Sequence, residues 1–247
     1  MKRLLTAFVL ALLPALAIAA GGHGPALEPA NIDLSNTTSL QRGARLFVNY
    51  CVSCHSASFM RYNRIAQDLE LSEEAVGTNL MFTTDKIGNT MTVAMKPSEA
   101  ETWFGAAPPD LSVIARSRGA DWLYNFLLGF YVDDKKPTGV NNLIFKDTAM
   151  PHVLWELQGL RRPVYHTETH ADGTETTSIE HLETVTPGKL DDKGYKQAVK
   201  DLVGFLVYVG EPAKLVRYRV GFWVIVFLLG FLLAAYLMKR EYWKDVH

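Results

Sequence analysis

The pentapeptide Cys51-Val52-Ser53-Cys54-His55 constrains this chain more than any other feature of its sequence. Cys-x-x-Cys-His is the pattern that attaches a c-type haem, because its two thiols have the separation of the two haem vinyl groups along one turn of backbone. The histidine that follows offers an imidazole nitrogen to the iron from one face of the ring. The pattern therefore predicts a haem domain with thioether bonds at Cys51 and Cys54 and an iron ligand at His55.

A pair of cysteines at this spacing has three other interpretations. A thioredoxin-like redox pair belongs in a βαβ unit, and the surrounding sequence shows none. A closed structural zinc site needs four ligands, and the sequence contains only two cysteines. An ordinary disulfide is the third alternative. A separate zinc site is also conceivable at His166, His170 and His181, although this polar stretch has the pattern of a hairpin rather than a helix.

The two ends of the chain are apolar, and they differ. Lys2 and Arg3 precede an uncharged run that is broken by Pro14 and ends in small residues. This is the pattern of a signal peptide, which we place at residues 1–20; a retained membrane anchor is the alternative. Residues 220–238 are a second uncharged run with basic residues on both sides. A helix of that length spans ~28 Å, enough to cross the hydrocarbon layer of a membrane.

These ends predict the topology of the whole protein. We expect an exported c-type haem domain at residues 21–213, followed by a transmembrane anchor at 214–247 that spans the bilayer at about 220–238. The export signal places the haem domain on the periplasmic side of a bacterial-type inner membrane. The chain then crosses once, and its C-terminus lies in the cytoplasm.

Charge is unevenly distributed along the chain. Residues 20–213 contain 17 Lys and Arg against 24 Asp and Glu, whereas residues 214–247 contain 6 against 2. An acidic body does not suit nucleic acid. It suits a basic partner protein, although solubility alone is a sufficient explanation.

The body has several recognisable elements. Polar residues that begin with Asn36 can cap a helix over residues 40–50, and this helix ends at the first haem-binding cysteine. The prolines of Pro108-Pro109-Asp110 forbid helix before them, and Asp110 can cap a short helix that starts at Leu111. An apolar stripe at residues 122–130 and the pattern of residues 194–209 predict two further helices. Residues 164–190 read as a β-hairpin with an Asp-Gly turn.

The iron face opposite His55 either carries a second protein ligand or stays open. An open face suggests gas or peroxide chemistry, whereas a thioether suggests electron transfer, because Met/His ligation raises the potential and blocks access to the metal. Met150 is a candidate because it precedes Pro151 in a loop far from the motif. Met60 is too close to the motif to wrap around the ring. Core packing is the competing explanation for any methionine.

Taken together, these features of the sequence resemble those of the cytochrome c1 family, the haem subunits of the respiratory bc1 complex (ubiquinol–cytochrome c reductase). The resemblance covers nearly all of the chain after the predicted signal peptide. Some bacterial members carry a second cysteine pair that forms a disulfide, and this chain has none to spare. The resemblance is carried by Cys51–His55, Ala107–Ser112 with Arg116 and Arg118, Pro137–Val140, Ala149–Pro151, Val199–Leu206 and Glu211-Pro212.

The resemblance implies a fold and a set of site residues. The fold is mainly α, a class I cytochrome c-like helical haem domain with loop and β-hairpin insertions and one C-terminal transmembrane helix. The site holds one covalent haem c through Cys51 and Cys54. The same resemblance implies that His55 and Met150 ligate the iron, that Pro108 and Pro109 pack against the haem edge, and that Arg116 or Arg118 neutralises a haem propionate.

The resemblance also implies a function and partners. The chain is then an electron-carrier subunit without a substrate site of its own, within an oxidoreductase complex. A Rieske iron–sulfur protein delivers an electron to it, a c-type cytochrome accepts that electron, cytochrome b is its neighbour, and the complex is dimeric. The alternative is the membrane-anchored c-type cytochrome subunit of a terminal oxidase.

Overall fold

The computed structural model describes residues 27–170 and 174–245, so the predicted signal peptide and the predicted Asp-Gly turn at 171–173 lie outside the described residues. The helices are α1 (Thr37–Tyr50), α2 (Tyr62–Asp68), α3 (Glu73–Asn79), α4 (Pro97–Phe104), α5 (Ile114–Ser117), α6 (Ala120–Leu128), α7 (Trp155–Gln158), α8 (Asp192–Gly210) and α9 (Lys214–Tyr242). The strands are β1 (Ala57–Arg61), β2 (Thr90–Met91), β3 (Phe130–Val132), β4 (Val140–Asn142), β5 (Gly159–Thr169) and β6 (Glu175–Pro187).

Helices α1 and α8 cross at the centre of the core. The Asn36 side chain accepts a hydrogen bond from the Ser39 N–H at 3.0 Å and so caps α1, as the sequence predicted. At the crossing, a Cβ atom added to Gly43 would lie 2.1 Å from the Asp201 carbonyl oxygen, so only glycine allows this approach. The Phe47 and Phe205 rings pack beside it with centroids 5.5 Å apart.

A buried carboxylate joins the same two helices. Asp201 on α8 accepts hydrogen bonds from Ser39 Oγ at 2.6 Å and from Arg42 Nε at 2.6 Å, both on α1. Gln197 Nε2 donates to the same carboxylate at 2.9 Å. A buried charge is tolerated only where it is paired and hydrogen-bonded. These bonds therefore fix the rotation and register of α1 against α8.

The strands form three antiparallel pairs, β1–β2, β3–β4 and β5–β6. The β5–β6 pair is the hairpin predicted at residues 164–190, and it runs from Gly159 opposite Pro187 to Thr169 opposite Glu175. Most of its residues are exposed, so it extends from the helical core rather than contributing to it. The mainly α fold with small hairpin insertions is confirmed.

The last helix has the properties expected of a membrane span. Helix α9 has 29 residues, a mean hydropathy of 2.5 in its most apolar window, and no buried residues in that window. Within residues 27–170 and 174–245 it is the one helix long and apolar enough to cross a membrane. Apolar side chains exposed on every side need lipid around them. Arg217 Nε contacts Glu211 Oε1 at 2.6 Å and braces the connection from α8.

Candidate haem site

All of the predicted site residues except one, Arg116, line one cavity of about 300 Å³. Its walls come from the end of α1, the segment between α4 and α5, helix α6, the loop that contains Met150, and helix α8. The lining residues are almost all apolar, which suits a large flat cofactor that must be shielded from water. They include Cys51, Cys54, His55, Pro108, Pro109, Leu111, Arg118, Trp122, Leu123, Phe126, Phe145, Met150, Leu202 and Leu206.

The end of α1 delivers both thiols to this cavity. The helix stops at Tyr50, and the Cys51 N–H still donates to the Phe47 carbonyl at 2.8 Å. One further turn follows, in which the N–H groups of Cys54 and His55 donate to the Cys51 carbonyl at 3.0 and 2.8 Å. Both cysteines are free thiols. Burial, with a smaller effect of Cys54, raises the pKa of Cys51 to about 12.

The imidazole of His55 is oriented by a backbone carbonyl. Its Nδ1 lies 2.7 Å from the Pro109 oxygen, which can only accept, so Nδ1 carries the proton and donates it. Burial lowers the pKa of His55 despite the opposing effects of Pro109 and Asp110, and the ring is therefore neutral. Nε2 is left with its lone pair. An imidazole whose other nitrogen donates to a carbonyl is the usual arrangement of a metal-binding histidine.

The Pro-Pro-Asp segment is held in place by its aspartate. Asp110 accepts hydrogen bonds from the N–H groups of Ser112 at 2.7 Å and Ser58 at 3.0 Å. The predicted role of Asp110 as the cap of a helix starting at Leu111 is wrong, because α5 begins at Ile114 with Val113 at its N-cap. The carboxylate is used instead to tie the segment to β1. Pro109 is thereby fixed where its carbonyl meets His55.

Met150 lines the cavity from the loop after β4. Its N–H donates to Thr148 Oγ1 at 3.3 Å, and Pro151 restricts the backbone that follows. Among the described residues it is the one methionine in the cavity wall. Met60 and Met91 are instead buried in the core, as the packing explanation expects of them.

The two candidate arginines lie in different places. Arg118 lines the cavity, whereas Arg116 is absent from its wall. The Cγ atom of Arg116 lies 3.4 Å from the point where a Cβ of Gly210 would be, at the end of α8. The structure therefore brings Arg118, but not Arg116, together with the other predicted site residues.

Sequence reasoning missed the aromatic wall of the site. Trp122 and Phe126 were expected only as the buried stripe of a helix, and the structure turns that stripe toward the cavity. Their 3.6-residue periodicity could indicate burial but not what they would contact. Phe145 carried no signal, because it lies in an irregular loop. Its place depends on Asn142, whose Nδ2 donates to the Phe126 carbonyl at 2.7 Å and whose Oδ1 accepts from the Phe145 N–H at 3.2 Å.

His152, two residues after Met150, was also overlooked. Its ring stacks on Phe130 with centroids 4.9 Å apart, and burial lowers its pKa to about 4. It is therefore a neutral packing group behind the loop. By contrast, the described residues contain no cluster of three or more His, Cys, Asp or Glu side chains that could hold a metal ion, so a zinc site at His166, His170 and His181 has no support.

The donor set fits a haem c. Two free thiols lie on one turn at the cavity wall, a neutral imidazole has an available Nε2, and a thioether lies in the same cavity. Nitrogen and sulfur are the axial ligands of electron-carrying cytochromes, and the apolar wall suits the porphyrin ring. The residues present therefore match the requirements of this group.

Such a helical domain with a Cys-x-x-Cys-His cavity and a C-terminal membrane helix defines the class of membrane-anchored c-type cytochromes. Comparison with known proteins is narrower, because residues 31–246 match the sequence model of the Cytochrome C1 family. The chain belongs to the cytochrome c1 family. Members of this family are electron-carrying haem subunits of the bc1 complex, beside cytochrome b and a Rieske protein.

Three relatives align with nearly the whole chain, and two of them are named cytochrome c1. A cytochrome c1 of Allochromatium vinosum is 47% identical over 247 residues, which is all of both chains. A cytochrome c1 of Blastochloris viridis is 27% identical over 97% of this chain and 93% of its own. A protein of Nitrosomonas europaea named ammonia monooxygenase gamma subunit is 45% identical over 99% of this chain and 100% of its own.

Proposed function

We propose that this chain carries electrons through a single haem that is covalently attached at Cys51 and Cys54 and ligated by His55 and Met150. The observation that supports this most is one apolar cavity lined by both thiols, the oriented imidazole and the thioether. Bound there, the haem supplies a one-electron couple between ferric and ferrous iron. No bond of a substrate is made or broken at this chain.

The residues of the chain have separable tasks in this proposal. Pro109 holds the His55 ring in the tautomer that leaves Nε2 free. Met150 would bind the iron through its sulfur and would thereby keep small molecules from the metal. Two strong ligands keep the coordination similar in both oxidation states, which favours rapid electron transfer. Pro108 and Pro109 cover the haem edge, and Arg118 or Arg116 meets a propionate.

The proposed electron path runs through neighbours in the membrane complex. A Rieske iron–sulfur protein reduces this chain, and a c-type cytochrome oxidises it, within a dimeric complex that also contains cytochrome b. In this proposal, residues 1–20 are a signal peptide that exports the haem domain at 21–213 to the periplasm. The anchor at 214–247 holds that domain beside its partners and raises their effective concentration.

Two rivals concern the complex rather than the haem. The first rival is membership of an ammonia monooxygenase complex, because the Nitrosomonas relative is named as a subunit of such an enzyme. The other rival is a c-type subunit of a terminal oxidase, which would lack the Ala107–Ser112 and Val199–Val203 segments. We favour the bc1 assignment because the family match runs over residues 31–246.

The experiment that separates these proposals is gentle purification of the tagged chain from its native membranes. We expect b-type haem and an iron–sulfur protein to accompany it, with ubiquinol-dependent reduction of an added cytochrome c. Co-purification with monooxygenase subunits, or with an oxygen-reducing oxidase and no iron–sulfur protein, would contradict the bc1 assignment while leaving the haem site intact.

A further inference from the structure

Arg118 brings a positive charge to the wall of a mostly apolar cavity. Across residues 27–170 and 174–245, no carboxylate forms an ion pair with its guanidinium. The guanidinium lies over two aromatic rings instead. The guanidinium carbon lies 5.1 Å from the ring centroid of Trp122 and 5.9 Å from that of Phe145. Both distances are within the ~6 Å at which a cation is attracted to the face of a ring.

The two rings form one rigid support. Their centroids are 6.3 Å apart, and their planes are inclined by 64°. Trp122 stacks on Phe126 at 5.1 Å with an interplanar angle of 7°. Asn142 accepts from the Phe145 N–H and donates to the Phe126 carbonyl, so both rings are anchored to the same part of α6. An arginine with several rotatable bonds is thereby held against a fixed surface.

We propose that Trp122 and Phe145 are positioning residues that hold the Arg118 guanidinium in the cavity wall, where it neutralises a carboxylate of the bound haem. This proposal rests on the proposed function and deepens it, because it assigns the charge partner to Arg118 and gives that arginine a clamp. A fixed positive charge near the iron stabilises the ferrous state, which carries one positive charge less than the ferric state. The clamp therefore raises the reduction potential. An arginine released from the rings would be solvated and less effective.

The test is a redox titration of the full-length holoprotein in detergent. Arg118→Gln removes the charge, and we expect the midpoint potential to fall. Arg116→Gln removes an equal charge two residues away that does not line the cavity, and we expect a much smaller fall. Trp122→Leu should lower the potential in the same direction as Arg118→Gln. Trp122→Phe keeps an aromatic face and should restore most of the wild-type value.

A double-mutant cycle separates the clamp from simple contact with the haem, because Trp122 also lines the cavity. In the Arg118→Gln background, we expect Trp122→Leu to cause less than about a third of the shift it causes in the wild type. Equal shifts in both backgrounds would show that Trp122 acts without Arg118, and would overturn the proposal. An Arg116→Gln shift as large as that of Arg118→Gln would also overturn it.

A second ring variant and a visible spectrum of each variant complete the test. Phe145→Leu repeats the cycle on the second ring, so a Trp122 variant that fails to assemble does not end the experiment. The visible spectrum of each variant is recorded first. A wild-type protein without covalent haem would contradict the proposed function, whereas a normal spectrum with unchanged potentials in the arginine and ring variants would contradict the clamp alone.

Discussion

At the scale of single residues, the proposed haem site depends on residues that meet in the fold although they are far apart in sequence. His55 and Pro109 are joined by a 2.7 Å hydrogen bond across 54 positions, and Met150 reaches the same cavity from 95 positions beyond His55. The two proposed iron ligands, His55 and Met150, would therefore come together only in the folded chain.

Replacement of Met150 tests whether its thioether sulfur binds the iron. We expect Met150→Ala to leave the haem attached, to abolish the weak long-wavelength absorption that reports a sulfur–iron bond, and to lower the midpoint potential. Met60→Leu is the matched control, since Met60 is buried in the core, and it should keep the spectrum and cost less than ~1.5 kcal/mol of stability. A spectrum untouched by Met150→Ala would remove Met150 as a ligand.

Asp110 predicts a specific dependence of stability on pH. Burial opposes its ionisation, but hydrogen bonds from Ser112 and Ser58 outweigh burial and hold the pKa of Asp110 below its ordinary value. Between the folded and unfolded pKa values the unfolded chain binds more protons, so this stabilisation is present above pH ~4 and is lost as pH falls through the folded pKa.

This dependence is measured by urea unfolding of the holoprotein at a series of pH values from 6 down to 3. The wild type should lose more stability over the acidic part of this range than Asp110→Asn does. Parallel curves for the two proteins would show that the carboxylate does not stabilise the Pro108-Pro109 segment.

The residue scale also shows how far sequence alone could go. The Cys-x-x-Cys-His motif is local, so its spacing predicts attachment chemistry directly. Asp110 was misjudged because its partner Ser58 lies 52 positions away, and no local pattern reveals such a pairing. The choice between Arg116 and Arg118 likewise required the packing of α5 and α6, which sets which arginine faces the cavity.

At the scale of elements, the crossing of α1 over α8 positions the haem motif. Gly43 permits this contact, because a Cβ atom added at this position would lie 2.1 Å from the Asp201 carbonyl oxygen. The periodicity of both helices was visible in the sequence, but the role of Gly43 was not. A glycine inside a helical pattern does not indicate which part of the chain packs against it.

Enlarging that contact should destabilise the domain. We expect Gly43→Ala to cost roughly 1–3 kcal/mol or more, because the helices must separate. Gly77→Ala in α3 is the control, since a Cβ there meets nothing within 4 Å, and it should be neutral or stabilise by up to ~1 kcal/mol. Urea midpoints of the holoproteins measure both effects. Equal stabilities of the two variants would contradict the close crossing.

At the scale of the whole molecule, charge and apolar surface divide the chain into two parts. The acidic body suits a basic electron acceptor, and the exposed apolar helix α9 suits a membrane. Composition alone showed this division, because it needs no knowledge of which residues touch. The identity of the neighbours required the family comparison.

The acidic body predicts an effect of salt on electron transfer. We expect the rate of transfer from the reduced holoprotein to a basic c-type cytochrome to fall as ionic strength rises above ~0.1 M, where the screening length is ~10 Å. An acidic c-type cytochrome serves as the control, and its rate of reduction should rise with ionic strength. A rate that does not change with salt for either acceptor would contradict electrostatic steering.

The central claim is that a haem is covalently held by Cys51 and Cys54 in this chain. The most direct measurement is haem staining of the mature protein on a denaturing gel, after expression with functional haem-attachment machinery. The account predicts a stained band at the position of this chain and no stain for the Cys51→Ala/Cys54→Ala variant. A wild-type band that is present by protein stain but colourless by haem stain would contradict it.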